Sequence, residues 1–159
     1  MELNIIKEKI NNIEEELIDL NEFILNNPEL GNQEFKASKA HTDLLLSHGF
    51  ETERPFLNME TAFKAEYDSG KLGPTIAYLA EYDALPGIGH GCGHNILGTV
   101  STGAGIVLKE IIDDIGGKVI VFGTPAEESY AGKVEMANKG AFDDVDVAML
   151  VHPSSNHFK

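Results

Sequence analysis

The sequence predicts an α/β fold, in which the strands of one sheet alternate along the chain with helices. Four stretches have the alternating or continuous apolar pattern of strands, at residues 61–67, 75–82, 118–123 and 146–151. Strands that alternate with helical segments favour a sheet with helices packed on its faces, here a three-layer arrangement. The chain has 159 residues and no internal repeat, so we expect one domain, residues 1–159.

The N-terminal region has the most regular helical pattern. Its apolar residues recur at alternating steps of four and three, which places them on one stripe of a helix. The stripe consists of Ile6, Ile10, Ile13, Leu17, Leu20 and Ile24. Asn27-Pro28 is expected to end this helix, because the residue before a proline avoids the helical conformation. We expect the stripe to pack on its own domain; a short coiled coil with another chain is the alternative.

Three further helices are expected. One runs over residues 34–48 and ends at Gly49, a residue type that favours the conformation found at helix ends. The others lie near residues 95–112 and 132–138. His41 and His48 are expected on a solvated face of the first of these helices, without a functional role.

The charge of the chain excludes some classes of partner. It has 26 acidic and 12 basic side chains, a formal charge of −14, which repels nucleic acids and anionic membrane surfaces. Cys92 is the single cysteine, so no intrachain disulfide can form, and the start of the sequence lacks the pattern of a signal peptide. We therefore expect a cytoplasmic protein that contacts neither nucleic acid nor membrane.

Polar residues follow three of the predicted strands. They are Glu81, Asp83, Glu127, Glu128 and His152. In open α/β sheets, ligands bind in the crevice beyond the carboxyl ends of the strands, so residues distant in sequence can converge there. This requires that strand 118–123 lie next to strand 75–82, and we predict that it does.

The segment HGCGHN, residues 90–95, lies between strand 75–82 and the following helix. In extended backbone Cys92 and His94 point the same way and can bind one metal ion, and the intervening glycines allow close approach. A cysteine before a helix N-terminus also has a stabilised thiolate. Two alternatives stay open for Cys92: a buried apolar residue, or a nucleophile with His94 or His90 as its base.

Glu127 and Glu128 could form an ordinary solvated pair, but they stand at a strand end. Adjacent side chains diverge in extended backbone, so one carboxylate can bind metal while the other faces water. His152 alone would be a surface histidine. Together with Cys92 and His94, however, it completes a set of thiolate, carboxylate and imidazole donors that suits zinc better than magnesium or calcium.

In their order and spacing, the segments NPELGNQE, AEYDALPGIGHGCGHN, GTPAEE and HP resemble one family of metallopeptidases and amidohydrolases. It includes aminoacylase, carboxypeptidase G and the hydrolases of hippurate, indole-acetyl-amino acids and aminobenzoyl-glutamate. The resemblance implies a zinc-peptidase-like sheet and two divalent ions, zinc, manganese or cobalt. It assigns metal-ligand roles to Cys92, His94, Glu128 and His152. It also makes Glu127 the general base and Asp83 a supporting acid.

Two features depart from the family pattern. Glu81 stands where many relatives have a metal-binding histidine, which together with Cys92 indicates the amidohydrolase branch. Asn95 then favours relatives such as aminobenzoyl-glutamate hydrolases or β-alanyl dipeptidases. Family members continue into a dimerisation domain and a last metal-binding histidine, so the chain resembles an N-terminal portion of the catalytic domain, and its relatives are expected to be homodimers. His157 is not assigned the missing role.

The reaction implied by the resemblance is metal-dependent hydrolysis of amide bonds in N-acyl amino acids or small dipeptides. A metal-bound water gives its proton to Glu127, which then protonates the departing amine. The alternative is a truncated, catalytically inactive fragment that binds metal, or an interaction module. The sequence leaves the substrate and the metal open.

Overall fold

The computed structural model describes residues 3–154, and within that range it contains five helices and one sheet of five strands. The helices are α1 (Leu3–Asn12), α2 (Glu14–Asn26), α3 (Phe35–Ser47), α4 (His94–Ile115) and α5 (Gly132–Asn138). The strands are β1 (Glu51–Glu53), β2 (Phe63–Asp68), β3 (Thr75–Glu81), β4 (Lys118–Thr124) and β5 (Val147–Met149). His157, to which no role was assigned, lies outside the described residues.

The sheet is mixed and has the strand order β1-β2-β4-β3-β5. Strand β4 pairs in parallel with β3 and antiparallel with β2, while β5 is parallel to β3 on its other side. The predicted neighbours 75–82 and 118–123 are therefore paired, and that prediction is confirmed. Glu81 at the end of β3 is opposite Thr124 at the end of β4, so the segments that follow both strands leave the sheet at the same edge.

Helices cover both faces of this sheet, because successive side chains of its strands point to opposite faces. In β4, Val119 and Val121 belong to a core shared with α2, α3 and α4. Ile120 and Phe122 belong to a second core with Met136 of α5. The three-layer α/β arrangement predicted from the sequence is thus confirmed.

The N-terminal stripe forms two helices instead of one. Between α1 and α2, Ile13 has φ −115° and ψ 9°, which departs from helical angles, and its side chain joins the core. In α2, Leu20 and Ile24 are buried, and Leu17 packs so closely on Gly103 of α4 that an added methyl there would lie 2.8 Å away. This half of the stripe packs on its own domain. Helix α1 has no fully buried residue, but its partly buried Ile6 packs against the same core.

The expectation that His41 is solvated was wrong. In α3, Ala37, His41 and Leu45 recur at steps of four and are all buried against the sheet. His48, at the end of α3, does lie near the surface, where its Nε2 is 2.9 Å from Oε2 of Glu16. Among residues 3–154, no helix is both long enough and apolar enough to cross a membrane.

Candidate metal centre

The polar residues predicted at the strand ends converge around His94, the first residue of α4. The preceding loop reaches this point through Gly93, whose φ of +83° strongly favours glycine. A side chain on Gly93 would also strike Pro153, 2.9 Å away. Farther along α4, a Cβ on Gly98 would lie 2.4 Å from the main-chain oxygen of Glu81, so the helix start is packed directly on the end of β3.

The two ring nitrogens of His94 have different surroundings. Nδ1 lies 2.7 Å from Oδ1 of Asp83, and Nε2 lies 2.8 Å from Oε2 of Glu81 and 3.5 Å from Oε1 of Glu128. The ring is 1% exposed. A carboxylate on one nitrogen fixes the ring and directs the other nitrogen at a bound cation, which is the arrangement found behind histidine metal ligands.

Asp83 connects two parts of the centre. It is fully buried; while Oδ1 faces His94, Oδ2 accepts a hydrogen bond of 2.9 Å from the main-chain N–H of Glu128. One carboxylate therefore sets both the orientation of the imidazole and the position of the loop after β4.

Two groups of donor atoms share His94. In the first, Cys92, His94 and Glu128 have their ligand atoms within 4.8 Å of one another. In the second, the same holds for Glu81, His94 and His152. The structure thus brings three of the four predicted ligands into one group. The ring of His152 contacts that of His94 edge-on, with ring centroids 5.4 Å apart.

The side chains of Glu127 and Glu128 diverge, as expected from their adjacent positions. Glu128 joins the donor group, whereas Glu127 turns to Lys133, at the start of α5. Oε1 of Glu127 accepts from the main-chain N–H of Lys133 at 2.8 Å, and Oε2 lies 3.0 Å from its Nζ. Burial raises the pKa of Glu127, although Lys133 opposes the rise.

The charges of the centre depend on these contacts. Burial alone would lower the pKa of His94, but Asp83 and Glu81 outweigh it and raise the pKa to about 10. Burial likewise disfavours the charged form of Glu81, and hydrogen bonds from His94 and Lys133 reverse this and lower its pKa to about 2. The site therefore stabilises positive charge at Nε2 of His94.

The sequence suggested a stabilised thiolate at Cys92, and the structure differs. Burial raises the pKa of the Cys92 thiol, and the nearby Glu128 carboxylate adds to the rise. The His94 nitrogens face Asp83 and Glu81. His94 is therefore not placed to act as a base for Cys92.

The residues present fit a transition metal. Nε2 of His94 is held toward thiol and carboxylate donors, and a cation bound there would replace the ring proton and offset the surrounding negative charge. Sulfur, nitrogen and oxygen donors together suit zinc and its neighbours in the transition series.

Sequence reasoning missed three residues of the centre. Glu81 was expected at this edge of the sheet but was given no role in the centre, and Lys133 carried no signal in the sequence. Glu34 is also buried, and it accepts hydrogen bonds from the main-chain N–H of Ala126 at 2.7 Å and from Thr61 at 2.8 Å. It thereby holds the loop that carries Glu127, and its place in NPELGNQE was the one signal that could have pointed to it.

Comparison with known proteins agrees with this geometry, although no family model matches the chain. The chain is 37% identical to Xaa-Arg dipeptidase of Mus musculus, over 98% of this chain and 40% of that protein. It is 38% identical to one subunit of the p-aminobenzoyl-glutamate hydrolase of Escherichia coli, over 86% of this chain and 32% of that protein. A Bacillus subtilis structure described as a dinuclear metal-binding peptidase of the M20 family has a TM-score of 0.75 at 27% identity, covering 83% of this chain and 40% of that chain.

The fold matches that of M20 peptidases, and the donor set is of a kind that can hold a divalent metal ion. The chain belongs to the family of metallopeptidases and amidohydrolases that its motifs resemble. It matches the N-terminal part of larger relatives and spans 40% of the mouse dipeptidase and 32% of the bacterial hydrolase.

Proposed function

We propose that this chain supplies the metal-binding part of a hydrolase that cleaves amide bonds in small dipeptides or N-acyl amino acids. The observation that carries the proposal is the position of His94, whose Nδ1 is held by Asp83 while Nε2 faces both donor groups. The names of the relatives, a dipeptidase and an aminobenzoyl-glutamate hydrolase, support the substrate class.

Each residue of the centre has a proposed role. Cys92, His94 and Glu128 bind a divalent ion, and His152 contributes from the exposed side, where 45% of its side chain is accessible. Asp83 is the supporting acid, since it orients His94. The metal is zinc, manganese or cobalt, with two ions in the intact relatives.

The bound metal would lower the pKa of water and polarise the amide carbonyl. Glu127 is the proton carrier: its carboxylate takes the proton of the attacking water and gives it to the departing amine nitrogen. A carboxylate is a more effective base when its pKa approaches the working pH, and burial shifts the pKa of Glu127 in that direction. Lys133 holds both of its oxygens, which fixes the direction of the transfer.

Two wider proposals accompany this function. The protein is cytoplasmic, because a reduced Cys92 is needed for metal binding and the cytosol keeps thiols reduced. Its relatives form homodimers, as the resemblance implies.

The test is hydrolysis of a panel of N-acyl amino acids and dipeptides, including β-alanyl and arginyl ones, by the purified chain with zinc, manganese or cobalt. If the chain suffices for catalysis, turnover reaches about 1 per second. Glu127→Gln then lowers turnover by at least about 100-fold and leaves metal content unchanged, because it removes the base and keeps the ligands. Glu135→Gln, on the exposed side of α5, is the matched control and leaves turnover unchanged.

A second candidate is a metal-binding chain without turnover. It is favoured by the 40% coverage of the mouse relative, whose remaining length can supply further groups. Metal binding without hydrolysis of any panel member would support this candidate. Turnover that survives Glu127→Gln but is lost in Cys92→Ser with metal retained would contradict both candidates and favour a cysteine nucleophile.

A further inference from the structure

Lys133 lies between two acidic side chains at the edge of the metal centre. Its Nζ forms an ion pair with Oε1 of Glu81 and lies 3.0 Å from Oε2 of Glu127. The Glu81 and Glu127 side chains are 4% and 9% exposed, so the pairs are largely withdrawn from water. Two buried carboxylates at this distance from one cation need its charge, because an unpaired buried charge is costly.

These contacts occupy every oxygen of the two carboxylates. In Glu81, Oε1 is on Lys133 and Oε2 is on Nε2 of His94. In Glu127, Oε1 accepts from the main-chain N–H of Lys133 and Oε2 pairs with its side chain. Lys133 therefore orients Glu127 through both its main-chain N–H and its side chain, and it also binds one carboxylate oxygen of Glu81.

The two donor groups cannot both use His94. Nε2 has a single lone pair and binds one metal ion, yet it is shared by the group with Cys92 and Glu128 and by the group with Glu81 and His152. Among residues 3–154, no lysine pairs with the carboxylate of the Cys92 group, whereas Glu81 is already paired with the ammonium of Lys133. The Cys92 group is the one whose carboxylate is free to bind a divalent cation.

We propose that Lys133 is a positioning residue that acts as a permanent cation of this centre, keeping Glu81 out of the metal coordination sphere and orienting Glu127. The inference rests on the proposed function, since it concerns the same metal. It explains how an acidic residue can stand at position 81 beside the ligands without competing for the ion.

The test measures zinc affinity by competition with a chelator, together with the thiolate-to-cobalt absorption of the cobalt-loaded chain. Lys133→Met frees Glu81 to bind metal, so zinc affinity rises by about tenfold or more and the cobalt spectrum changes. Lys133→Arg keeps the charge and stays within about threefold of the wild type. Lys139→Met, which removes the lysine paired with Glu135 on the same helix, changes neither readout.

A second variant keeps the test decisive if Lys133→Met fails to fold. The double variant Glu81→Gln Lys133→Met leaves one buried carboxylate, Glu127, without its cation instead of two, and its zinc affinity should lie within about threefold of the wild type. A loss of about tenfold or more there would identify Glu81 as a ligand and overturn the inference.

The failures of the two proposals are distinguishable. Wild-type zinc binding with an unchanged affinity in folded Lys133→Met overturns only the role of Lys133. Absence of zinc and cobalt binding in the wild type and in every variant overturns the proposed function as well.

Discussion

The interior around His41 and the centre around His94 show what decides the charge of a buried histidine. Both rings are withdrawn from water, with 0% and 1% exposure. His41 packs against the rings of Phe63 and Tyr82, with centroids 5.9 and 5.5 Å away. Its single polar contact among the described residues is a hydrogen bond of 2.8 Å between Nδ1 and the Thr102 hydroxyl.

The two histidines are buried to the same extent, but their pKa values shift in opposite directions. Desolvation lowers the pKa of His41 to about 3, so this ring is neutral at every physiological pH. At His94 the Asp83 and Glu81 carboxylates reverse the effect of burial and raise the pKa to about 10. A histidine that is buried among apolar side chains is therefore neutral and serves in packing. A histidine that is buried among carboxylates favours a bound proton or metal ion.

The largest effect that this comparison predicts is on metal binding. His94→Ala removes the nitrogen that both donor groups share, so zinc affinity should fall by more than about 100-fold, as measured by competition with a chelator. His48→Ala, which alters a histidine outside the donor groups, should leave the affinity unchanged. If His94→Ala retained wild-type affinity, the assignment of the centre to His94 would be wrong.

A smaller effect is expected from the residue behind the ligand. Asp83→Asn replaces one acceptor oxygen by an NH2 donor at a site where both neighbours already donate, His94 Nδ1–H on one side and the Glu128 N–H on the other. Either the His94 tautomer or the 127–128 loop must change, and zinc affinity should fall about 10- to 100-fold. Glu29→Gln is the control, because Glu29 binds main-chain groups at the start of α3, away from the metal donors. Unchanged affinity in Asp83→Asn would show that Asp83 has no part in orienting the ligand.

The sequence predicted most of the sheet and the helices because their patterns are local. Strands 75–82 and 118–123 and the helix 132–138 appear within a residue or two of their predicted limits. The break at Ile13 was not predicted, because its apolar spacing is the same in one helix as in two. The burial of His41 was not predicted either, because it depends on which face of α3 packs against the sheet.

The candidate centre was predicted only in part, because some of its contacts join residues that are far apart in the sequence. Cys92, His94 and Glu128 were found by residue type and position, and the structure brings them together. The pairing of Glu81 with Lys133 joins residues 52 positions apart, and a lysine at the start of a helix carries no signal of its own. Such a contact follows from the parallel pairing of β3 with β4 and not from any pattern in the sequence.

His41 should affect the pH dependence of stability rather than metal binding. In the unfolded chain His41 titrates at its ordinary pKa of 6.5, and in the folded chain at about 3. Between these values the unfolded state binds one proton more, so the free energy of unfolding falls as the pH is lowered, by about 1.4 kcal/mol per pH unit at most. Above pH 6.5 His41 is neutral in both states and contributes no slope. His41→Gln does not titrate and should therefore show a shallower loss of stability between pH 6.5 and 4 in denaturant titrations without metal. The difference between wild type and variant isolates His41, because the other titrating groups are common to both. Parallel stability curves over that range would mean that His41 becomes protonated inside the folded protein, and that burial alone does not keep it neutral.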